Sequence, residues 1–383
     1  MQIQQNATVP SSRLRAQDCD LAVFRQLIEV DTDLDQCQNA SEVTDGVPIY
    51  QPARLVAVDA TGMLDELADV LVNGPGILVV RAAVAMPVID RVDHVFSEII
   101  EEQRAAGGAA GDHFAAAGAN DRVWNSLEKL CLRDPEAFAA YYENETLAQV
   151  CTAFLGPRYQ VSAQVNQVNP GAAAQDPHRD YHLGFLTDEQ AELFPAHVHR
   201  LSPVLTLQAA VAHCDMPVET GPTMYLPHSQ KYLPGYLAWR RPDFKEYFED
   251  NHTQLALGKG DLVFFNPALF HAAGTNSTSD IVRRANLLQI SSAFGRAMER
   301  IDRTAMVMAL YPVLRRWVQD GTAPDRVQRV IAAAAEGYAF PNNLDHDQPL
   351  DGLAPESMAD KVANALTRDL EIDQMRAAVE GLA

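Results

Sequence analysis

The chain has 383 residues, 47% hydrophobic and 21% charged, which is enough apolar material for a sizeable core in one large domain or two smaller ones. Fifty-one acidic against thirty basic residues give a formal net charge of −21, which argues against a phosphate backbone or an anionic lipid surface as partner. The five cysteines form no CxxC pair and are odd in number, which speaks against a disulfide framework and a cysteine-built zinc site and for a reducing compartment, the cytoplasm.

No apolar run has membrane-spanning length, and Met1 to Arg15 lacks the apolar centre of a secretory signal. Residues 1–58 are polar and mixed, with a short helix expected over Phe24–Val30, and are read as an N-terminal extension. Apolar positions at helical spacing predict a helix over 62–73, stopped by Asn73-Gly74-Pro75-Gly76. Ile77–Val80 reads as a buried strand and 86–104 as a helix. Residues 105–120, rich in Gly and Ala and containing His113 and Phe114, read as a loop. A helical block follows over 122–132 and 135–155.

From Tyr159 the texture changes. Residues 159–168 alternate between apolar and polar side chains, the pattern of a strand with two unlike faces. Further strands are expected at 203–213, 224–226, 255–257, 262–265 and 281–294. A helix is expected at 188–194, and the aromatic, charged insertion 231–251 reads as a cover for a cavity. Short strands with turns between them suggest a double-sheet jelly roll over 59–296. Residues 297–383 return to helix, over 297–317, 326–335 and about 355–381, as an extension that packs on the barrel or on a second subunit. The pairs Arg240-Arg241 and Arg315-Arg316 read as solvated helix-end charges.

The stretch Gln175–His182 carries the first chemical signal. His178 and Asp180 are two apart, so on a strand they share a face and can hold one divalent metal, while Arg179 points away. A further histidine, His271, follows an apolar strand and precedes Ala272-Ala273-Gly274, small residues that leave room for a substrate. Twelve residues on, Arg283 and Arg284 open the last strand, facing opposite ways. An arginine inside a packed strand needs an anion, and a guanidinium grips a carboxylate with two parallel hydrogen bonds. The pair His197-Val198-His199 is a competing ligand motif, and His213 reads as structural. No GxSxG, Walker-type, GxGxxG or HExxH string occurs.

The ordered motifs NPGAAAQDPHRDYH at 169–182, ETGPTMYLPHSQK at 219–231, GDLVFFNPALFHAAGTN at 260–276 and RRA at 283–285 resemble those of the phytanoyl-CoA dioxygenase family, as does GPGILVVRA at 74–82. The resemblance covers about 60 to 296. It implies a double-stranded β-helix and an Fe(II)- and 2-oxoglutarate-dependent oxygenase. Carried over by residue, it makes His178, Asp180 and His271 the metal ligands and Arg283 the clamp for the distal carboxylate of 2-oxoglutarate, with Arg284 as the alternative. Thr223 would line the site. Gln164, Gln167 and Gln175 are candidates for the other end of the cosubstrate. His182, Gln167 and Arg284 are candidates for contacts to substrate or to the ligands. The resemblance further implies O2 as co-reactant, a small-molecule substrate, and oxygenation, not halogenation, since Asp180 is present. The sequence departs from the family at Leu226-Pro227-His228-Ser229, where a histidine replaces the usual glycine.

Two other readings stand beside this one. A cupin-like metal enzyme would use His197 and His199 and no 2-oxoglutarate. A jelly-roll binding module would have no catalysis. A homo-oligomer assembled through the C-terminal helices is a further expectation.

Overall fold

The computed structural model describes residues 12–57, 60–107 and 118–380; His113 and Phe114 lie outside the described residues. Among the described residues there are eleven strands, interspersed with helices: β1 (Glu42–Thr44), β2 (Val47–Tyr50), β3 (Ile77–Val80), β4 (Asn120–Val123), β5 (Gln160–Val168), β6 (Thr206–Ala212), β7 (Thr223–Leu226), β8 (Thr253–Gln254), β9 (Leu262–Phe265), β10 (Phe270–Ala273) and β11 (Arg283–Ser291). Eight of them form one sheet in the order β1-β2-β3-β9-β6-β11-β5-β4, antiparallel except for β2 and β3. The other three form a smaller sheet, β10-β7-β8. The architecture is a mixed one, with a β-sheet core and C-terminal helices.

Period-two alternation sets what each face of the large sheet does. Val161, Ala163 and Val165 on β5, Leu207 and Val211 on β6, and Leu288 and Ile290 on β11 enter one continuous core with the helices. Gln164 and Asn166, Gln208 and Ala210, and Arg283, Ala285 and Gln289 face a cavity toward the small sheet. A second apolar cluster, including Ile49, Ile77, Val79, Phe265 and Tyr225, joins the two sheets beside that cavity.

The helices Ala60–Val72, Met86–Ala105, Ser126–Arg133, Pro135–Tyr142 and Glu145–Leu155 cover the outer face of the large sheet. The C-terminal helices Arg303–Gln319, Pro324–Ala334, Met358–Thr367 and Ile372–Glu380 pack into the same core through Met306, Leu310, Val330, Leu366 and Met375. Their apolar faces are thus buried within the chain itself. The first and third of them begin where a polar side chain satisfies free backbone amides: Asp302 accepts from Ala305, and Ser357 forms a reciprocal box with Asp360.

Several elements depart from the sequence reading. The expected helical block 135–155 breaks because Asn144 caps a new helix, accepting from the amide of Leu147. Where one helix was expected over about 355–381, the described residues form two, Met358–Thr367 and Ile372–Glu380. Residues 120–123 are a strand, held as the edge partner of β5, where helix was expected from 122. The strand expected at 255–257 is confined to Thr253–Gln254, and Leu257 makes only an isolated bridge to Met216. At the N-terminus the helix Leu21–Ile28 sends Phe24 against Tyr232, Phe244 and Phe270. β1 and β2 were not expected, and they join the large sheet.

Candidate metal and cosubstrate site

His178 and His271 meet across an isolated antiparallel bridge, with reciprocal backbone hydrogen bonds of 2.9 and 3.1 Å. This bridge lays the 175–180 segment beside β10 and brings together residues ninety-three positions apart in the chain. Each imidazole donates through Nδ1 to the carbonyl two residues before it: His178 to Asp176 at 2.9 Å and His271 to Leu269 at 2.8 Å. A histidine that donates from one ring nitrogen keeps the lone pair of the other free. Both free Nε2 atoms point at Asp180, at 3.8 Å from His178 to Oδ1 and 3.4 Å from His271 to Oδ2.

The ligand atoms of His178, Asp180 and His271 all lie within 4.8 Å of one another, the one such cluster among the described residues. Burial, helped by the neighbouring His271, pulls His178 below the usual histidine range and favours the neutral ring a metal requires. Burial pushes Asp180 up, but the two histidines and Gln208 outweigh it and hold the carboxyl below the usual range.

Gln208 donates through Nε2 to Asp180 Oδ2 at 2.5 Å. The sequence reading missed this residue. Its only signal was a lone amide in the apolar strand TLQAAVA. Tyr225 was missed too; it lies opposite His271 in the register and lines the same cavity.

The cavity holds about 120 Å³ and is walled by both sheets. Arg283 enters it from β11. Its guanidinium is buried, and among the described residues no hydrogen bond or ion pair holds it. Burial pulls it down to about 10, against the pull of Cys214 and Tyr225. Thr223, Gln175 and Gln164 also line the cavity. Gln164 accepts from Arg122 at 2.6 Å, and Gln175 accepts from the backbone of Ala273 at 3.3 Å.

Arg284 and Gln167 do not reach this wall. They bind each other on the helix side of the sheet, Nη2 to Oε1 at 2.5 Å, and Arg284 also contacts Asp93 and Ser97. The even–odd alternation of β5 and β11 explains the split. His182 bonds Ser202 at 2.9 Å and is absent from the cavity lining.

His197 and His199 lie on a short helix, Ala196–Leu201, where a two-residue offset turns side chains about 200° apart. His199 is buried against the carbonyl of Ala191. His213 is structural as expected, bonded to Asp93 at 2.8 Å and Tyr141 at 2.9 Å. His228 occupies a left-handed position, φ 68°, where a glycine would carry no steric penalty.

A family model described as phytanoyl-CoA dioxygenase (PhyH) matches residues 72–285, more than half of the chain and all three residues of the cluster. The chain belongs to the phytanoyl-CoA dioxygenase family. As a member it is a non-haem iron, 2-oxoglutarate-dependent dioxygenase, and its cavity suits that chemistry. Two neutral imidazoles and a carboxylate are a donor set for Fe(II) that leaves open coordination positions.

No curated protein matches the chain. Among solved structures, this PhyH-family chain is similar to the non-heme alpha ketoglutarate dependent epimerase SnoN from nogalamycin biosynthesis, with 20% identity, a TM-score of 0.38, and coverage of 61% of this chain and 84% of that one. It is also similar to the carbocyclase SnoK of the same biosynthesis, with 18% identity, a TM-score of 0.42, and coverage of 59% and 83%. HygX from Streptomyces hygroscopicus, with nickel and 2-oxoglutarate bound, matches at 14% identity and a TM-score of 0.38, over 60% of this chain and 87% of its own. Among the described residues no helix is long and apolar enough to cross a membrane.

Proposed function

We propose that His178, Asp180 and His271 hold one Fe(II), that Arg283 clamps the distal carboxylate of 2-oxoglutarate, and that the enzyme oxygenates a small organic molecule. The observation that carries this reading is a buried guanidinium with no anionic partner among the described residues, in the same cavity as a free-Nε2 histidine pair and a carboxylate. When bound, metal and cosubstrate supply oxidising power from O2, as 2-oxoglutarate is converted to succinate and CO2.

The chain's own residues do the positioning. The carbonyls of Asp176 and Leu269 fix both histidine rings, and Gln208 orients the carboxylate of Asp180. Thr223 and Tyr225 line the wall shared with Arg283, and Gln164, steadied by Arg122, is placed for the other end of the cosubstrate. Gln175 ties its segment to β10. In this reading the two sheets are the halves of a double-stranded β-helix within residues 59–296. The N-terminal strands widen it, the C-terminal helices buttress it, and the protein works in the cytoplasm.

The test is anaerobic titration with Fe(II) and 2-oxoglutarate. Wild type should develop a weak visible charge-transfer band that His178→Ala abolishes. A wild-type protein that binds neither partner would sink the reading.

A further inference from the structure

Gln208 and Gln289 are directly opposed across β6 and β11, and both side chains line the metal cavity. Both are almost wholly buried, at 7% and 5% exposure. Buried amides ordinarily find partners for oxygen and nitrogen alike. Here they do not. The Nε2 of Gln208 is committed to Asp180, which fixes the orientation of that amide and leaves its Oε1 unpaired. The Oε1 of Gln289 is unpaired as well, and among the described residues no hydrogen bond reaches its Nε2. Two adjacent amides with three unused hydrogen-bonding atoms thus stand within one side chain's reach of the metal ligands.

We propose that Gln208 and Gln289 are the substrate-reading pair and that the substrate is a neutral, hydroxyl-bearing molecule of the polyol or sugar type. This rests on the iron and 2-oxoglutarate reading given above. The chemistry follows from what the pair offers. An amide oxygen accepts from a hydroxyl, and an amide nitrogen donates to one, so neighbouring hydroxyls can satisfy both residues at once. A carboxylate or phosphate would meet the acceptor oxygen of Gln208, which cannot turn to donate while its nitrogen holds Asp180. Among the described residues an ammonium group would find no carboxylate on the cavity wall except Asp180 itself. A hydrocarbon would leave both amides buried and unpaired, the situation that a site built for hydrogen bonding rejects most strongly. Ala210, next on the same face of β6, is a small side chain that leaves room beside Gln208, with Leu287 opposite it on β11.

The experiment uses the Fe(II)–2-oxoglutarate-loaded enzyme and a panel of monosaccharides, cyclitols and glycosides, set against carboxylic acids and alkanes of similar size. Succinate release and the change in the visible band on adding each compound are read together. Neutral polyols should stimulate succinate formation. Gln289→Leu should raise KM for the best of them by about tenfold, while the band with Fe(II) and 2-oxoglutarate alone stays as in wild type. The proposal is overturned if only acids or alkanes stimulate turnover, if no polyol does, or if Gln289→Leu leaves KM unchanged. A missing band in wild type is a different failure, since it brings down the iron and cosubstrate reading and this inference with it.

Discussion

Arg283 and Arg284 are consecutive on β11 and do opposite work. The first enters the metal cavity with no carboxylate partner among the described residues, and the second leaves on the helix side, where Gln167, Asp93 and Ser97 take up its guanidinium. A strand places neighbouring side chains on opposite faces, so a register shift of one residue would exchange these roles.

The two arginines should therefore separate in kinetics. Arg283→Ala should raise KM for 2-oxoglutarate by about tenfold to a thousandfold, as loss of a buried charge-assisted pair requires, and Arg283→Lys should restore part of it. Arg284→Ala should leave that KM near wild type and lower the thermal midpoint instead. Steady-state kinetics in 2-oxoglutarate together with a melting curve decide this. Equal effects of both variants on KM would contradict the assignment.

Metal binding should be visible as stability. A ligand that binds only the folded state stabilises it in proportion to the logarithm of its concentration over Kd. Fe(II), or Ni(II) as an inert substitute, should raise the melting midpoint of wild type, and a chelator should reverse it. Asp180→Ala should lose the response. A metal-independent midpoint in wild type would count against the site.

Part of this site was legible in the sequence, through the two-residue spacing of His178 and Asp180 and through motifs that resemble those of the family. His178 and Asp180 are two apart, and Arg283 shares its face with Ala285 and Gln289. What lay hidden depends on contacts between strands that no local pattern encodes. Gln208 reaches Asp180 across twenty-eight residues. The short segments β1, β2 and β4 carry too few residues to show a period, and they become strands only because an edge is waiting for them. Arg179 was expected to point away from the metal, and no local pattern marks it as buried, at 1% exposure.

That arginine ties the ligand-bearing segment to the insertion. Its guanidinium donates to the carbonyls of Ser229 and Tyr232 at 2.5 and 3.1 Å and lies against the rings of Tyr236 and Phe270. A Cβ at Gly235 would overlap the guanidinium. Gly235→Ala should thus push Arg179 out of place, cost about 2–4 kcal/mol of stability, and weaken metal binding although residue 235 touches no ligand. Denaturant unfolding and metal titration measure the two effects. A variant as stable as wild type would show that the contact yields without cost.

The last prediction concerns acid stability on the helix side of the sheet. Burial raises Asp93, but His213, Arg284 and Lys259 outweigh it and hold its carboxyl below the usual range. Tyr141 closes the far side of His213. A carboxyl with a lower pKa folded than unfolded adds stability that is fully present above the unfolded value of about 3.9 and is lost as pH falls through the folded value. Asp93→Asn should destabilise the protein at neutral pH by about 1–3 kcal/mol, since it leaves Arg284 and Lys259 with less counter-charge. The gap between wild type and variant should then narrow steadily as pH falls below about 4, where the unfolded chain binds the proton that the native carboxyl refuses. Urea unfolding across that range measures the gap. A constant gap would mean that Asp93 acts through packing alone.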